Sequence, residues 1–302
     1  MLFRSGLRWP GGNVRLLHAA GDATRPAHGE LEADRLDLAA LNQIATRLPL
    51  GATALAALTR HDPHGLVDRV SAKWVGPLDA LTQYQVQGKV QQLQVKEVAS
   101  DLPPPVNGSI TPGTPGISGA SVEFDLSESG GRANLVVRDG SLTLPGIFEE
   151  PVLPFTQLSA DLSWQVESGR LRVQGAAVRF ANADTEGEVQ FRWQTSDPLR
   201  SASRSRFPGV LDLQGSLTRA AATRVHRYLP LVLYPDVRHY VRDAVLGGVS
   251  NNVRFKVKGD LYDMPFTNPK QGEFSITAAV KDGVLAYEIG RASCRERVYS
   301  SV

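Results

Sequence analysis

The sequence carries a single cysteine, Cys294, which excludes a disulfide framework and a cysteine-based zinc site. It lacks an excess of either charge. Lys plus Arg number 33 against 31 for Asp plus Glu, and a net charge of +2 is too small to hold nucleic acid by charge alone. No apolar run approaches the roughly 20 residues that cross a bilayer; the softest stretch, Leu48 to Leu58, is broken by Pro49, Gly51 and Thr53. The opening residues have no apolar core of signal-peptide length, so the sequence reads either as cytosolic or as one whose natural start lies upstream of Met1. Catalytic signatures are missing too: there is no P-loop, no G-x-G-x-x-G after a strand and no G-x-S-x-G. His61-Asp62-Pro63-His64 offers two imidazoles and a carboxylate, but a metal needs three or four converging ligands and no third histidine is near, so the segment reads as a turn. Glu149 and Glu150 are neighbours with no sign of a shared cleft. Neither an enzyme nor a cofactor site is expected.

Hydrophobic residues at 42% and charged residues at 21% allow a folded core. The 28 glycines and 19 prolines suit a turn-rich β protein. Residues 12–35 predict a strand pair. Asp37 is placed to cap a helix whose Leu38, Leu41, Ile44 and Leu48 recur at helical spacing before Pro49, and a second short helix is predicted over Ala52 to Arg60. Strands are predicted around Val70 to Trp74 and Tyr84 to Val95. Residues 101–120 hold five prolines and four glycines and read as a loop or linker between a β-rich segment, 1–100, and a second, 121–287.

Beyond the linker, apolar residues alternate with polar ones, as in half-buried strands. Val122, Phe124 and Leu126 oppose Glu123 and Asp125; Val189, Phe191 and Trp193 oppose Gln190 and Arg192; Phe255 and Val257 oppose Arg254, Lys256 and Lys258. Turn signals at Ser129-Gly130-Gly131, Asp139-Gly140, Ser168-Gly169 and Asp282-Gly283 make an antiparallel meander the economical topology. Two helices interrupt it. One is capped by Thr218 and ends at Pro230; the other starts at Pro235, buries Val237, Tyr240, Val241, Ala244 and Val245, and ends at Gly247-Gly248. A pattern of apolar-x-apolar-x-Gly recurs, ending at Gly88, Gly175, Gly215 and Gly259, where each glycine marks a bend in a strand or a coincidence. Asn182 and Asp184 read as turn residues. Arg200, Arg204 and Arg206 lie in a Ser-rich segment read as a solvated loop, with contact to an anionic surface as the alternative. After Tyr287 the string EIGRASCRERVYSSV has neither period nor turn logic. It resembles translated adapter sequence, and residues 288–302, Cys294 included, are set aside as a non-native tail.

Many strands present an apolar face, and few helices exist to cover it. Each such face must be buried against something. A second sheet would give a sandwich or closed barrel. An open curved sheet would instead take a long apolar ligand such as an acyl chain. Composition does not separate the two.

The stretch from about Ser141 to Tyr287 resembles a known family. The residues that carry the likeness are Leu144-Pro145-Gly146-Ile147-Phe148, Leu153-Pro154-Phe155, Leu162-Ser163-Trp164 and Asn182-Ala183-Asp184. They continue with Pro208-Gly209-Val210-Leu211-Asp212-Leu213, Arg227-Tyr228-Leu229-Pro230, Val237-Arg238, Asp263-Met264-Pro265-Phe266, Gly272-Glu273-Phe274 and Leu285-Ala286-Tyr287. In that order they resemble the YhdP-like branch of the AsmA family of bacterial envelope proteins. The resemblance implies a mainly β fold: a long curved antiparallel sheet forming a half-open, taco-like groove, with a few short amphipathic helices. It implies a periplasmic protein anchored in the inner membrane by an amino-terminal helix that this sequence lacks, so the chain reads as an internal fragment. The implied function is carriage of phospholipid between inner and outer membranes; the alternative is an envelope scaffold without cargo. The implied partners are phospholipid acyl chains, the two membranes and unnamed envelope proteins. The expected groove lining is Val122, Phe124, Leu126, Leu135, Val137, Val189, Phe191, Phe255, Val257, Phe274 and Ile276.

Overall fold

The computed structural model describes residues 11–22, 24–45, 51–100, 112–289 and 292–298. Among these residues thirteen strands form one sheet: β1 (Val14–Ala19), β2 (His28–Asp37), β3 (His64–Val75), β4 (Gln83–Val95), β5 (Gly116–Ser127), β6 (Gly130–Thr143) and β7 (Val152–Glu167). The sheet continues through β8 (Arg170–Ala181), β9 (Thr185–Gln194), β10 (Val210–Ala221), β11 (Val245–Asp260), β12 (Gly272–Ile289) and β13 (Ala292–Val298). Each strand pairs antiparallel with the next in chain order, and the first and last remain edges, so the sheet is an open meander rather than a barrel. Among the described residues, three α-helices accompany it: α1 (Leu38–Ala45), α2 (Ala52–His61) and α3 (Pro235–Ala244). The mainly β, open antiparallel architecture expected from the sequence is the one observed.

Local sequence explains much of this. Asp37 caps α1 as expected, its Oδ1 accepting from the amides of Ala39 at 2.7 Å and Ala40 at 3.3 Å. The proposed end of that helix, Leu48 and Pro49, lies outside the described residues. His61 to His64 is a turn: Asp62 is left-handed at φ 40°, and His64 Nδ1 lies 2.8 Å from the Asp62 carbonyl. The Ser168-Gly169 turn closes the β7–β8 hairpin with both residues at positive φ, the geometry whose twist matches the flanking strands.

Several expectations are corrected. Asp139-Gly140 and Asp282-Gly283 are not hairpin turns; they lie inside β6 and β12, where Asp139 and Asp282 take φ 49° and 52°. Asp tolerates the left-handed region, so the dipeptide that often makes a turn makes a bulge here. Thr218 caps no helix. It lies in β10, and its hydroxyl donates to the Glu186 carbonyl at 3.4 Å across a register shift; a 3-10 segment, Ala222–Tyr228, follows the strand. Helix α3 starts at Pro235 as expected but stops at Ala244, and Gly247-Gly248 belongs to β11. Only part of its expected buried face is buried: Ala244 is buried and Val241 and Val245 are half-buried, whereas Val237 and Tyr240 are exposed and Arg238 is buried. In the expected linker, 101–111 lie outside the described residues, and β5 begins at Gly116 and pairs with β4. Residues Ala292–Val298, set aside as tail, pair with β12; backbone groups at an open edge accept a strand without any side-chain pattern.

Interruptions recur along the strands. Arg35 in β2, Gln92 in β4, Gly119 in β5, Asp139 in β6 and Asp282 in β12 all have positive φ, and the register shifts on β7–β8, β8–β9, β9–β10 and β11–β12. Bulges bend strands and increase their twist. The bend closes toward the apolar side: Ile117, Leu142 and Leu153 beyond the interruptions join Val122, Leu135 and Leu158 before them in one cluster around Ala120 and Val137.

Candidate functional site

Directly paired residues of an antiparallel sheet share a face, so the register fixes which side chains form each surface. One row runs Val14, Ala33, Val70, Gly88, Phe124 and Ala133 across β1 to β6. It continues through Leu162, Gly175, Phe191, Leu213, Val257 and Phe274 to β12. A second row, two residues nearer the rim that carries the β5–β6 and β7–β8 turns, runs Leu16, Leu31, Ala72, Val86, Leu126 and Gly131. It goes on through Trp164, Val173, Trp193, Leu211, Gly259 and Gly272. Neither row contains a polar side chain. Eleven steps between β1 and β12 at about 4.8 Å each make them about 53 Å long.

The opposite face is the reverse. The row between these two reads Arg15, Glu32, Ser71, Gln87, Asp125 and Arg132. Ser163, Gln174, Arg192, Asp212, Lys258 and Glu273 follow, polar at every strand. Ion pairs cross it, including Arg132–Asp125 at 3.3 Å and Lys258–Asp212 at 3.7 Å.

All eleven residues expected to line a groove lie on the apolar face. Phe124, Leu126, Phe191, Val257 and Phe274 belong to the two rows above. Val122, Leu135, Val189, Phe255 and Ile276 lie on the same side in the next layer inward. Most are half-buried, and Ile276 is 47% exposed; an opposing layer would have sealed them. Val137 is the exception. With no exposed surface it belongs to the packed bend and can touch no ligand. The sequence reading left out Trp164, Val173, Trp193 and Leu213, which complete the rows; their alternation was the same signal.

The repeated glycines have a second role. Gly88, Gly175 and Gly215 lie opposite Phe124, Phe191 and Phe255, and each phenyl ring lies across its glycine. A Cβ on Gly88 would stand 2.8 Å from Phe124 Cζ, and one on Gly175 2.5 Å from Phe191 Cε1. Trp164 covers Gly131 in the same way, with 2.6 Å between such a Cβ and Cζ2, and Trp74 covers Gly29. These glycines make room for rings; Gly175 also borders the register shifts of β7–β8 and β8–β9, and of the repeat only Gly259 has positive φ.

Three of the family-like sequence blocks converge where the bend is packed. Asn182 forms the expected turn, its Oδ1 accepting from the amides of Asp184 and Thr185 at 2.9 and 2.8 Å. Asp184 accepts from Arg227 Nη1 at 2.5 Å and from the Tyr228 hydroxyl at 3.2 Å. Arg227 also holds Glu150 at 2.8 Å, and buried Arg238 holds Glu149 at 2.5 Å. Burial acts against the Arg227 cation, but Asp184 and Glu150 outweigh it and raise its pKa. Burial raises the pKa of the Tyr228 hydroxyl, helped by the Asp184 charge and opposed by a hydrogen bond from Asn182. This network ties the segment from Ala222 to Ala244 to the β6–β7 and β8–β9 connections. Its charges are used up in pairing, and among the described residues no group of three His, Cys, Asp or Glu side chains is placed to hold a metal.

A family model described as YhdP protein matches residues 1–290. No curated protein and no solved structure matches the chain.

Proposed function

This chain belongs to the YhdP family, and from that premise we propose that its sheet is a segment of a hydrophobic trough carrying phospholipid across the periplasm between the inner and outer membranes. The supporting observation is the run of apolar residues and glycines, interrupted by no polar side chain, from β1 to β12 on a face that, among the described residues, no second layer seals. A tail of about sixteen carbons exposed to water costs roughly 12 kcal/mol at about 0.8 kcal/mol per methylene. Laid along the rows, it regains much of that, while the open side leaves the headgroup in water. Carriage needs weak, repeated contact rather than a deep pocket, and it requires no covalent step and no cofactor. In this reading the protein is periplasmic and held to the inner membrane by an amino-terminal helix; among the described residues, no helix is long and apolar enough to cross a bilayer.

Photo-crosslinking at adjacent positions tests the proposal. A crosslinking residue in place of Phe191, on the apolar row, is expected to capture phospholipid that co-purifies with the chain. One in place of Arg192, on the polar row, is expected to capture none. Equal capture at both positions, or none at Phe191, would leave an envelope scaffold that carries no cargo.

A further inference from the structure

We propose that the β9–β10 loop, residues 195–209, binds the phosphate headgroup of the lipid whose tails lie on the apolar face, an inference that rests on the trough reading above. The loop alternates Arg200, Ser201, Ala202, Ser203, Arg204, Ser205 and Arg206, and the structure splits the alternation into two sides. The serines face inward. Ser201 Oγ donates to Asp260 Oδ2 at 2.7 Å, and Ser196 Oγ donates to the same oxygen at 2.9 Å. The Ser201 and Ser203 hydroxyls lie 2.8 Å apart, and the Ser205 amide donates to Ser203 Oγ at 3.1 Å. Asp260 is fixed in turn by the Tyr262 amide at 3.1 Å. The loop is therefore pinned to the start of the β11–β12 connection.

The arginines face outward from this anchor. Among the described residues, the guanidinium groups of Arg200 and Arg204 have no hydrogen-bond or carboxylate partner, and Arg206 donates only to the Gly169 carbonyl. The acid within the loop and the acid that anchors it are engaged elsewhere: Asp197 pairs with Arg170 at 3.3 Å, and Asp260 holds the serines. The following residue, Phe207, stacks on Trp193, with ring centroids 6.1 Å apart and planes 21° from parallel. Trp193 belongs to the second apolar row, and its indole N–H donates to the Pro208 carbonyl at 2.9 Å. The apolar floor thus passes through Trp193 to Phe207, which is 54% exposed and belongs to the same loop as the exposed Arg200, Arg204 and Arg206. Apolar surface followed by cation is the order of tail followed by phosphate in a phospholipid, and guanidinium presents the planar fork that phosphate oxygens accept.

The experiment compares two fluorescent lipids of equal chain length, phosphatidylglycerol and uncharged diacylglycerol, binding to the whole chain and to its Arg200→Gln/Arg204→Gln variant. Neither substituted side chain supports the fold. The variant is expected to bind phosphatidylglycerol about tenfold more weakly and diacylglycerol within about twofold of the unsubstituted chain. Loss for both lipids, or for neither, overturns the headgroup site and leaves the trough standing. Failure of either lipid to bind the unsubstituted chain overturns both. Displacement of phosphatidylglycerol by millimolar inorganic phosphate would assign the arginines to a free anion and overturn the lipid assignment.

Discussion

Phe255→Asp separates the needs of the fold from those of carriage. The ring is half-buried, lies over Gly215 and neighbours Ile276 on β12. Removing it forfeits half the burial of a phenyl group, about 1–1.5 kcal/mol. In the empty trough the new carboxylate faces water and stays ionised, so the cost to the fold stops near that figure. With an acyl chain above it, water is excluded. Desolvating an unpaired carboxylate costs several kcal/mol, and even ~3 kcal/mol is roughly a hundredfold in occupancy at that point. Arg254→Asp is the control. It places a carboxylate one residue away on the polar face, opposite Ser216 and Thr277. Fluorescent lipid transfer between donor and acceptor vesicles should fall roughly a hundredfold for Phe255→Asp and less than about twofold for Arg254→Asp, with far-UV circular dichroism retained in both. Undiminished transfer by Phe255→Asp, or an equal loss for Arg254→Asp, would refute the reasoning.

Gly175→Val pushes a side chain against Phe191 and Val178, and denaturant unfolding should show a loss of about 1–3 kcal/mol. Adding Phe191→Ala should recover part of it, and strictly additive losses would show that the ring does not need the glycine. Asp139→Val places a β-branched residue at φ 49° inside β6 and should lower stability by about 1–2 kcal/mol, whereas Asp139→Gly should be neutral or better. Tyr228 sets an alkaline limit. Its pKa is raised in the fold, so its stabilising contribution is complete below the unfolded value near 10 and is lost as pH rises through the folded value. Tyr228→Phe should remove that part of the alkaline slope in thermal melts, and an unchanged slope would assign it to other groups.

The β architecture was legible because period-two alternation is local: each strand declares its own two faces. The lining residues on β5, β9, β11 and β12 could be chosen strand by strand, and register then brought them to one side. What lay hidden depends on neighbours distant in sequence. Asp139-Gly140 and Asp282-Gly283 have the composition of turns, and only the strand paired alongside decides that the chain continues past them. Val137 alternates like Leu135, yet the bend seals one and leaves the other half open. The apolar stripe on α3 predicted a buried face; Ala244 is buried, but Val237 and Tyr240 are at the surface, and buried Arg238 is paired with Glu149 from a distant connection. The glycine pattern was visible, while its cause, a ring arriving from the next strand, was not.

Carriage along the rows also requires that no position act as a trap. A tail advancing by one strand, about 4.8 Å, exchanges one set of side chains for the next. Between Phe124 and Phe191 it would meet Ala133, Leu162 and Gly175. Upright rings beside bare glycines would make that floor a series of ridges and holes. The observed rings lie across the glycines instead: Phe124 over Gly88, Phe191 over Gly175, Phe255 over Gly215. The height of the surface therefore varies less than the residue sizes do. If a step changes the covered apolar area by about 40 Å², the energy changes by about 1 kcal/mol, under a tenth of the roughly 12 kcal/mol that water would exact from the whole tail. Such a surface holds a lipid strongly overall and weakly at each point. A sandwich built from the same side chains would interlock them, and a deep pocket would keep the first lipid it bound. The open, levelled sheet avoids both, so the glycine–aromatic pairs belong to the proposed function as much as to the packing of the sheet.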